Sequence, residues 1–228
     1  MLQLRYKVKK GIQKMNERMA KQQEFLLELD KLKNLYRQTY ILRDDLPSGS
    51  EEFSSNLKEH KPLPRKENDA EHSFSLAIAA AMLAEYSNEP VDTLKVMKMV
   101  LVHDAVEIDA GDTYCYDEEA AKTKRQRELK AAERIFGLLP EDQAEEYREL
   151  WDEFEEGITS EAKFAAAMDR IQPLLLNYSR DGISWKEHGV RFGQVEKRCE
   201  KIKDGSEKLW EHFHSLLVNA KNRGVLPE

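Results

Sequence analysis

His103 and Asp104 stand side by side in the run Val100-Leu101-Val102-His103-Asp104-Ala105-Val106-Glu107. On an apolar helix both need partners, because burying an unpaired imidazole or carboxylate costs on the order of several kcal/mol. Glu107 follows Asp104 by three residues and His103 by four, spacings that bring it to the same side of a helix. A divalent cation would satisfy all three groups together. So would an ordinary buried histidine paired with its helix neighbours or with a carboxylate elsewhere. Two distant residues bear on that choice. His72 sits near the start of the most apolar stretch, in Ala70-Glu71-His72-Ser73, and Asp169 interrupts Phe164-Ala165-Ala166-Ala167-Met168 before Ile171. Each has a plain alternative as a cap or an exposed position. Together His72, His103, Asp104 and Asp169 place four ligand-type side chains on three apolar helices, a set with the right chemistry for a metal cage.

The elements that must carry these residues read as helices. Met15, Met19, Phe25, Leu26, Leu29, Leu32 and Leu35 recur at spacings of three and four over residues 13 to 36, one stripe of a helix. Between Arg43 and Asp69 the periodicity gives way to Pro47-Ser48-Gly49-Ser50, Pro62 and Pro64, the composition of a long connection. A nearly continuous apolar stretch from about Glu71 to Tyr86 predicts a helix buried on most sides. A third helix, capped by Asp92 or Thr93, runs to about Ile108 and is stopped by Gly111. Further helices are expected near 119–136, 140–156 and 160–179, with one or two between 185 and 222. With no period-two strand and no internal repeat, the expected fold is all-α in a single domain.

Composition narrows the function classes. The 228 residues are 40% hydrophobic and 35% charged, with a formal net charge of −7. That balance fits a charge-coated globular protein. The longest apolar run, Leu76 to Ala84, is too short to span a bilayer. Residues 1 to 21 alternate apolar with basic side chains instead of forming an apolar signal region, so a cytoplasmic setting without membrane partners is expected. Cys115 and Cys199 fall outside any CxxC pattern. Charge is uneven: residues 1 to 21 carry +6, which leaves the rest of the chain at −13. The basic segment reads as a solvated helix face, since interleaved aromatics and a phosphate-binding glycine loop are both missing from it. An acidic body is a poor partner for a nucleic-acid polymer.

The order His72, His103-Asp104, Asp169, with separations of 31 and 65 residues, resembles the ligand order of the HD-domain metal-dependent phosphohydrolases. Within that family the chain is similar to the 5′-deoxynucleotidase branch. The likeness is carried by Leu32-Lys33 leading to Arg37 and Arg43, by Glu67 to Ser73, and by Gly111-Asp112 after the His-Asp pair. The stretch from Leu150-Trp151 through Phe154-Glu155, Thr159 and Glu161-Ala162-Lys163-Phe164 to Asp169 carries it further. It covers roughly residues 30 to 180. Departures fall around the expected nucleotide pocket: a longer link before His72, Gln38-Thr39-Tyr40 where relatives place a tryptophan, and Thr113-Tyr114-Cys115-Tyr116 in place of a proline turn.

The resemblance implies a single HD-domain helical bundle over residues 31–180, preceded by a helical extension at 1–30. A second extension, at 181–228, would pack on that core. It implies one divalent ion (Mn, Co, Mg, Fe or Zn) on His72, His103, Asp104 and Asp169, with Glu107 as general acid or base. Arg37, whose planar fork grips two phosphate oxygens, is the expected phosphate contact. Asp112 would accept a hydrogen bond from a sugar hydroxyl. The expected reaction is release of phosphate from nucleoside or deoxynucleoside 5′-monophosphates, in a chain that forms a homodimer. Two other readings stay open: hydrolysis of nucleoside triphosphates or phosphodiesters, and a helical interaction module that keeps the metal as a staple. The acidic helix near 140–156 reads as a solvated face, and His60, His188, His212 and His214 carry no expected role.

Overall fold

The computed structural model describes residues 2–43, 63–111 and 118–228. Helix α1 spans Leu2–Leu29 and tightens into a 3-10 turn at Asp30–Asn34. Strand β1, Tyr36–Arg43, then pairs antiparallel with β2, Leu63–Asn68. This ribbon was not expected from the sequence, where residues 63–68 read as connection. Tyr40 and Ile41 favour a strand, but β2 contains Pro64 and four charged or amide side chains, and the 44–62 link hides any hairpin signal. That link, with His60, lies outside the described residues. Register shifts between Tyr36 and Tyr40, a break in the regular pairing.

Asn68 ends β2 and begins α2, Asp69–Leu83. Its side chain accepts from the Glu71 amide at 3.0 Å while the Glu71 carboxylate accepts from the Asn68 amide at 3.1 Å. This reciprocal cap fixes the first turn immediately before His72. After a 3-10 turn at Ala84–Tyr86 comes α3, Thr93–Val102, capped by Asp92, whose carboxylate accepts from the Lys95 amide at 3.1 Å. The regular helix expected to reach Ile108 stops at Val102. Residues His103–Val106 form a 3-10 turn, and only Glu107–Ala110 (α4) is again α-helical.

Five longer elements follow: α5 (Glu118–Phe136), α6 (Glu141–Glu156), α7 (Ser160–Ser179), α9 (Phe192–Cys199) and α11 (Glu207–Asn222). Short helices α8 (Ile183–Glu187) and α10 (Ile202–Gly205) lie between the last three. The fold is all-α apart from the small ribbon. None of the helices among the described residues is long and apolar enough to cross a membrane.

Two cores share the interior. One joins α2, α3 and α7 to the C-terminal helices around Leu76, Met99, Phe164, Met168, Ile202 and Leu217. The other joins α1, α5 and α6 to Val102, Ala105 and Val106 around Phe25, Ile135, Phe136 and Trp151. Met99 and Val100 belong to the first and Val102 to the second, so His103 sits at the seam between them. At Gly205 the chain passes α7 backbone to backbone: an added Cβ would lie 2.6 Å from the Lys163 carbonyl oxygen and 2.9 Å from the Phe164 Cα.

The α1 stripe divides by burial, and the burial expected of the next helix needs correction. Met15, Met19 and Leu26 of the α1 stripe are exposed, whereas Phe25 and Leu32 are buried. Helix α2 is not buried on most sides either, because Phe74, Ile78 and Met82 form an open row, with Met82 68% exposed. Apolar content measures how much surface seeks cover, and neighbouring elements decide which face finds it.

Candidate metal centre

His72, one residue past the α2 capping box, is fully buried. Its Nε2 lies 3.1 Å from Asp169 Oδ1 and 3.8 Å from Asp104 Oδ2, and its Nδ1 lies 3.0 Å from Gln172 Oε1. His103 opens the 3-10 turn that follows α3, with its ring edge-on to Phe154 at 5.0 Å and 5.5 Å from the His72 ring. Its Nε2 is 3.1 Å from Asp104 Oδ1 and 3.8 Å from Asp169 Oδ1. The structure therefore brings His72, His103, Asp104 and Asp169 from three segments to one buried spot. The ligand atoms of His72, His103 and Asp104 all lie within 4.8 Å of one another.

Glu107 joins this spot from one side. In a 3-10 turn, side chains three apart eclipse. Glu107, which follows this turn three residues after Asp104, lies on the same side, and ligand atoms of both gather with one of Asp69 within 4.8 Å. Arg37 comes from β1, whose alternation also turns Thr39 inward. The Arg37 Nη1 donates to Asp104 Oδ2 at 2.7 Å and to Asp69 Oδ1 at 3.2 Å. Asp112 and the Thr113–Tyr116 segment lie outside the described residues.

The charges settle into a consistent pattern. Burial alone would raise the Asp169 carboxyl, but the His103 and His72 rings beside it hold it well below the usual carboxylate range. Burial likewise opposes ionisation of Asp104, and His103, Arg37 and His72 more than offset it, so its pKa is lowered. The His103 imidazolium is disfavoured by burial and favoured more strongly by Asp104 and Asp169, a net upward shift. Arg37 is held charged by Asp104, Asp169, Glu107 and Asp69 against its own burial.

The donor set fits a divalent cation. The His103 Nδ1 faces the Val100 carbonyl oxygen at 2.8 Å. A carbonyl can only accept, so Nδ1 carries the hydrogen and Nε2 of the neutral ring presents its lone pair. That Nε2 is buried without a hydrogen-bond partner and points toward the oxygens of Asp104 and Asp169. A lone pair facing carboxylates in a buried site is unfavourable unless positive charge sits among them, whether protons or a metal ion. Imidazole nitrogen mixed with carboxylate oxygen suits first-row divalent metals.

Thr39, Glu67, Asp69 and Gln172 were not singled out from the sequence as site residues. All four are buried polar side chains within the site's hydrogen-bond network. Gln172 offered a signal, since it follows Asp169 by one helical turn on an apolar helix. Glu67 and Thr39 offered little, because the strands that aim them were not apparent.

The model of the HD domain matches residues 57–210. A crystal structure described as a predicted metal-dependent phosphohydrolase from Magnetospirillum magnetotacticum MS-1 is similar, with a TM-score of 0.79 and 45% identity. The match covers 93% of this chain and 97% of that one. The 5′-deoxynucleotidase HDDC2 of Xenopus laevis is 27% identical over 145 residues, 64% of this chain and 65% of that protein. HDDC2 of Homo sapiens is 30% identical over 116 residues, 51% of this chain and 55% of that protein. The chain thus spans between about half and two thirds of the length of these curated relatives. The histidines and aspartates that converge at the seam fall within the matched segment, and the chain belongs to the HD domain family.

Proposed function

We propose that this chain is a metal-dependent phosphohydrolase that releases inorganic phosphate from nucleoside or deoxynucleoside 5′-monophosphates. The observation that carries the reading is the convergence of His72, His103, Asp104 and Asp169 on one buried spot with Arg37 and Glu107 beside it. In this reading those four side chains hold one divalent ion, drawn from Mn, Co, Mg, Fe or Zn. Bound there, the ion supplies Lewis acidity toward a phosphoryl oxygen and lowers the pKa of water. The similarity to proteins named 5′-deoxynucleotidase supports a nucleoside monophosphate as substrate.

The chain's own residues supply orientation and proton transfer. Asp104 and Asp69 both engage Nη1 of Arg37, which leaves Nε and Nη2 to meet phosphate oxygens from a guanidinium already held in place. Its positive charge offsets part of the two negative charges that a phosphate monoester brings into a carboxylate-rich site. Glu107, grouped with Asp104 and Asp69, takes a proton from the attacking water or delivers one to the departing 5′ oxygen. Asp112 accepts a hydrogen bond from the sugar.

Phosphate release from a nucleotide panel by the metal-loaded protein tests the proposal. Turnover of 5′-monophosphates is expected, falling at least about a thousandfold in His103→Ala and Asp104→Ala, as for loss of a group central to the chemistry. Unchanged turnover in those variants, or products limited to pyrophosphate, triphosphate or a monoester, would sink it.

A further inference from the structure

We infer that Gln172 is a positioning residue for the metal centre: its amide passes the direction of the Glu67 carboxylate to His72 and thereby fixes which ring nitrogen faces the site. The inference rests on the metal-centre reading above. It starts from Glu67, which is buried between two donors. Thr39 Oγ1 donates to Glu67 Oε2 at 2.8 Å, and Gln172 Nε2 donates to Glu67 Oε1. A carboxylate only accepts, so the NH2 end of the Gln172 amide is the end that must point at Glu67. The oxygen end must then point the other way, where it lies 3.0 Å from His72 Nδ1.

Facing an acceptor, Nδ1 carries the hydrogen, and the lone pair of neutral His72 falls on Nε2, toward Asp104 and Asp169. Glu67 cannot do this alone, because its nearer oxygen is 3.9 Å from Nδ1, too far for a hydrogen bond. Reversing the amide would set its oxygen against the carboxylate, and its NH2 would then meet Nδ1 and hold the ring in the other tautomer. Thr39, Glu67, Gln172 and His72 are all buried, which makes that oxygen-to-oxygen contact costly. Gln172 follows Asp169 by three residues, one turn of α7, so a single helix faces both edges of the imidazole. Asp169 meets Nε2 and Gln172 meets Nδ1. His103 reaches the same protonation pattern through a backbone carbonyl, which no side-chain substitution removes.

Without the Gln172 oxygen, the Nδ1–H would be left buried and unpaired, and the ring would favour its other tautomer. That form donates Nε2–H to Asp169 Oδ1 and masks the nitrogen a metal needs. Hydrogen-bond partners of this kind are worth about 10- to 100-fold in metal affinity.

Calorimetric titration of metal-free protein with Mn2+ or Co2+ tests this, with 15N spectra of the imidazole rings recorded above their titration range. Gln172→Leu is expected to weaken binding about 10- to 100-fold and to move His72 from the Nδ1–H form toward Nε2–H. Glu67→Gln keeps the shape but frees the amide to reverse, and is expected to weaken binding about three- to tenfold with mixed tautomers at His72. It provides the answer should Gln172→Leu not fold. A wild-type protein that takes up neither ion overturns the centre and this inference with it. A wild type that binds, beside variants with unchanged affinity and an unchanged His72 spectrum, overturns the inference alone.

Discussion

Helix α1 at one end of the chain and helices α8 to α11 at the other all lie outside the span from His72 to Asp169, yet they join the molecule by different forces. Among the described side chains of α1, Phe25 is buried in the interior, while Met15, Met19, Leu26 and Leu27 face outward. Polar contacts join it: Arg18 to Asp142 at 2.6 and 2.9 Å, Gln22 to Gln143 at 2.8 Å, and Glu28 to Arg134 at 2.7 Å. At the other end, Trp185, Val195, Ile202, Phe213, Leu217 and Leu226 are buried in the same core as Leu76 and Met168. Ion pairs between exposed side chains contribute little, because solvent screens them and two long side chains must be immobilised. Apolar burial is roughly proportional to area and dominates. The C-terminal helices therefore act as part of the packing that holds α7, and with it Asp169 and Gln172, in place.

Substitutions at the two ends test this contrast directly. Leu217→Ala is expected to lower the unfolding free energy by roughly 2 to 5 kcal/mol, read from the denaturant midpoint, because it opens a cavity in a fully buried site. A loss under about 1 kcal/mol would mean that the C-terminal helices are as loosely attached as α1. Arg18→Ala is expected to change stability by less than about 1 kcal/mol by the same measurement, despite its two-pronged contact with Asp142. A larger loss there would erase the distinction from the other side.

The sequence made some parts of this molecule legible and hid others for physical reasons. His72, His103, Asp104, Glu107 and Asp169 stood out because ionisable side chains on apolar helices demand partners, and the structure brings them together. The positions of α5, α6 and α7 were also readable, since period and caps are local properties. The β1–β2 ribbon was not, because its pairing joins segments separated by the long 44–62 link, and β2 has little strand character of its own. Thr39 and Glu67 were lost with it. Exposure on α2 escaped for a different reason: Phe74, Ile78 and Met82 are as apolar as Leu76 and Ala80, and only the arrangement of neighbours separates the two rows.

The close passage at Gly205 has a consequence for which sequences can keep this fold. The nearest obstacles to a side chain there are backbone atoms of Lys163 and Phe164, which cannot rotate aside as a flexible side chain would. One methyl group at position 205 would have to shift α7 itself, the helix that carries Asp169 one turn or so beyond the contact. Tolerance at this position is thus set by a distance between two main chains, and hydrophobicity or charge has no bearing on it. In a library randomised at 205 and selected for phosphate release, glycine is expected to be recovered almost alone; free recovery of alanine and serine would show that the crossing has slack.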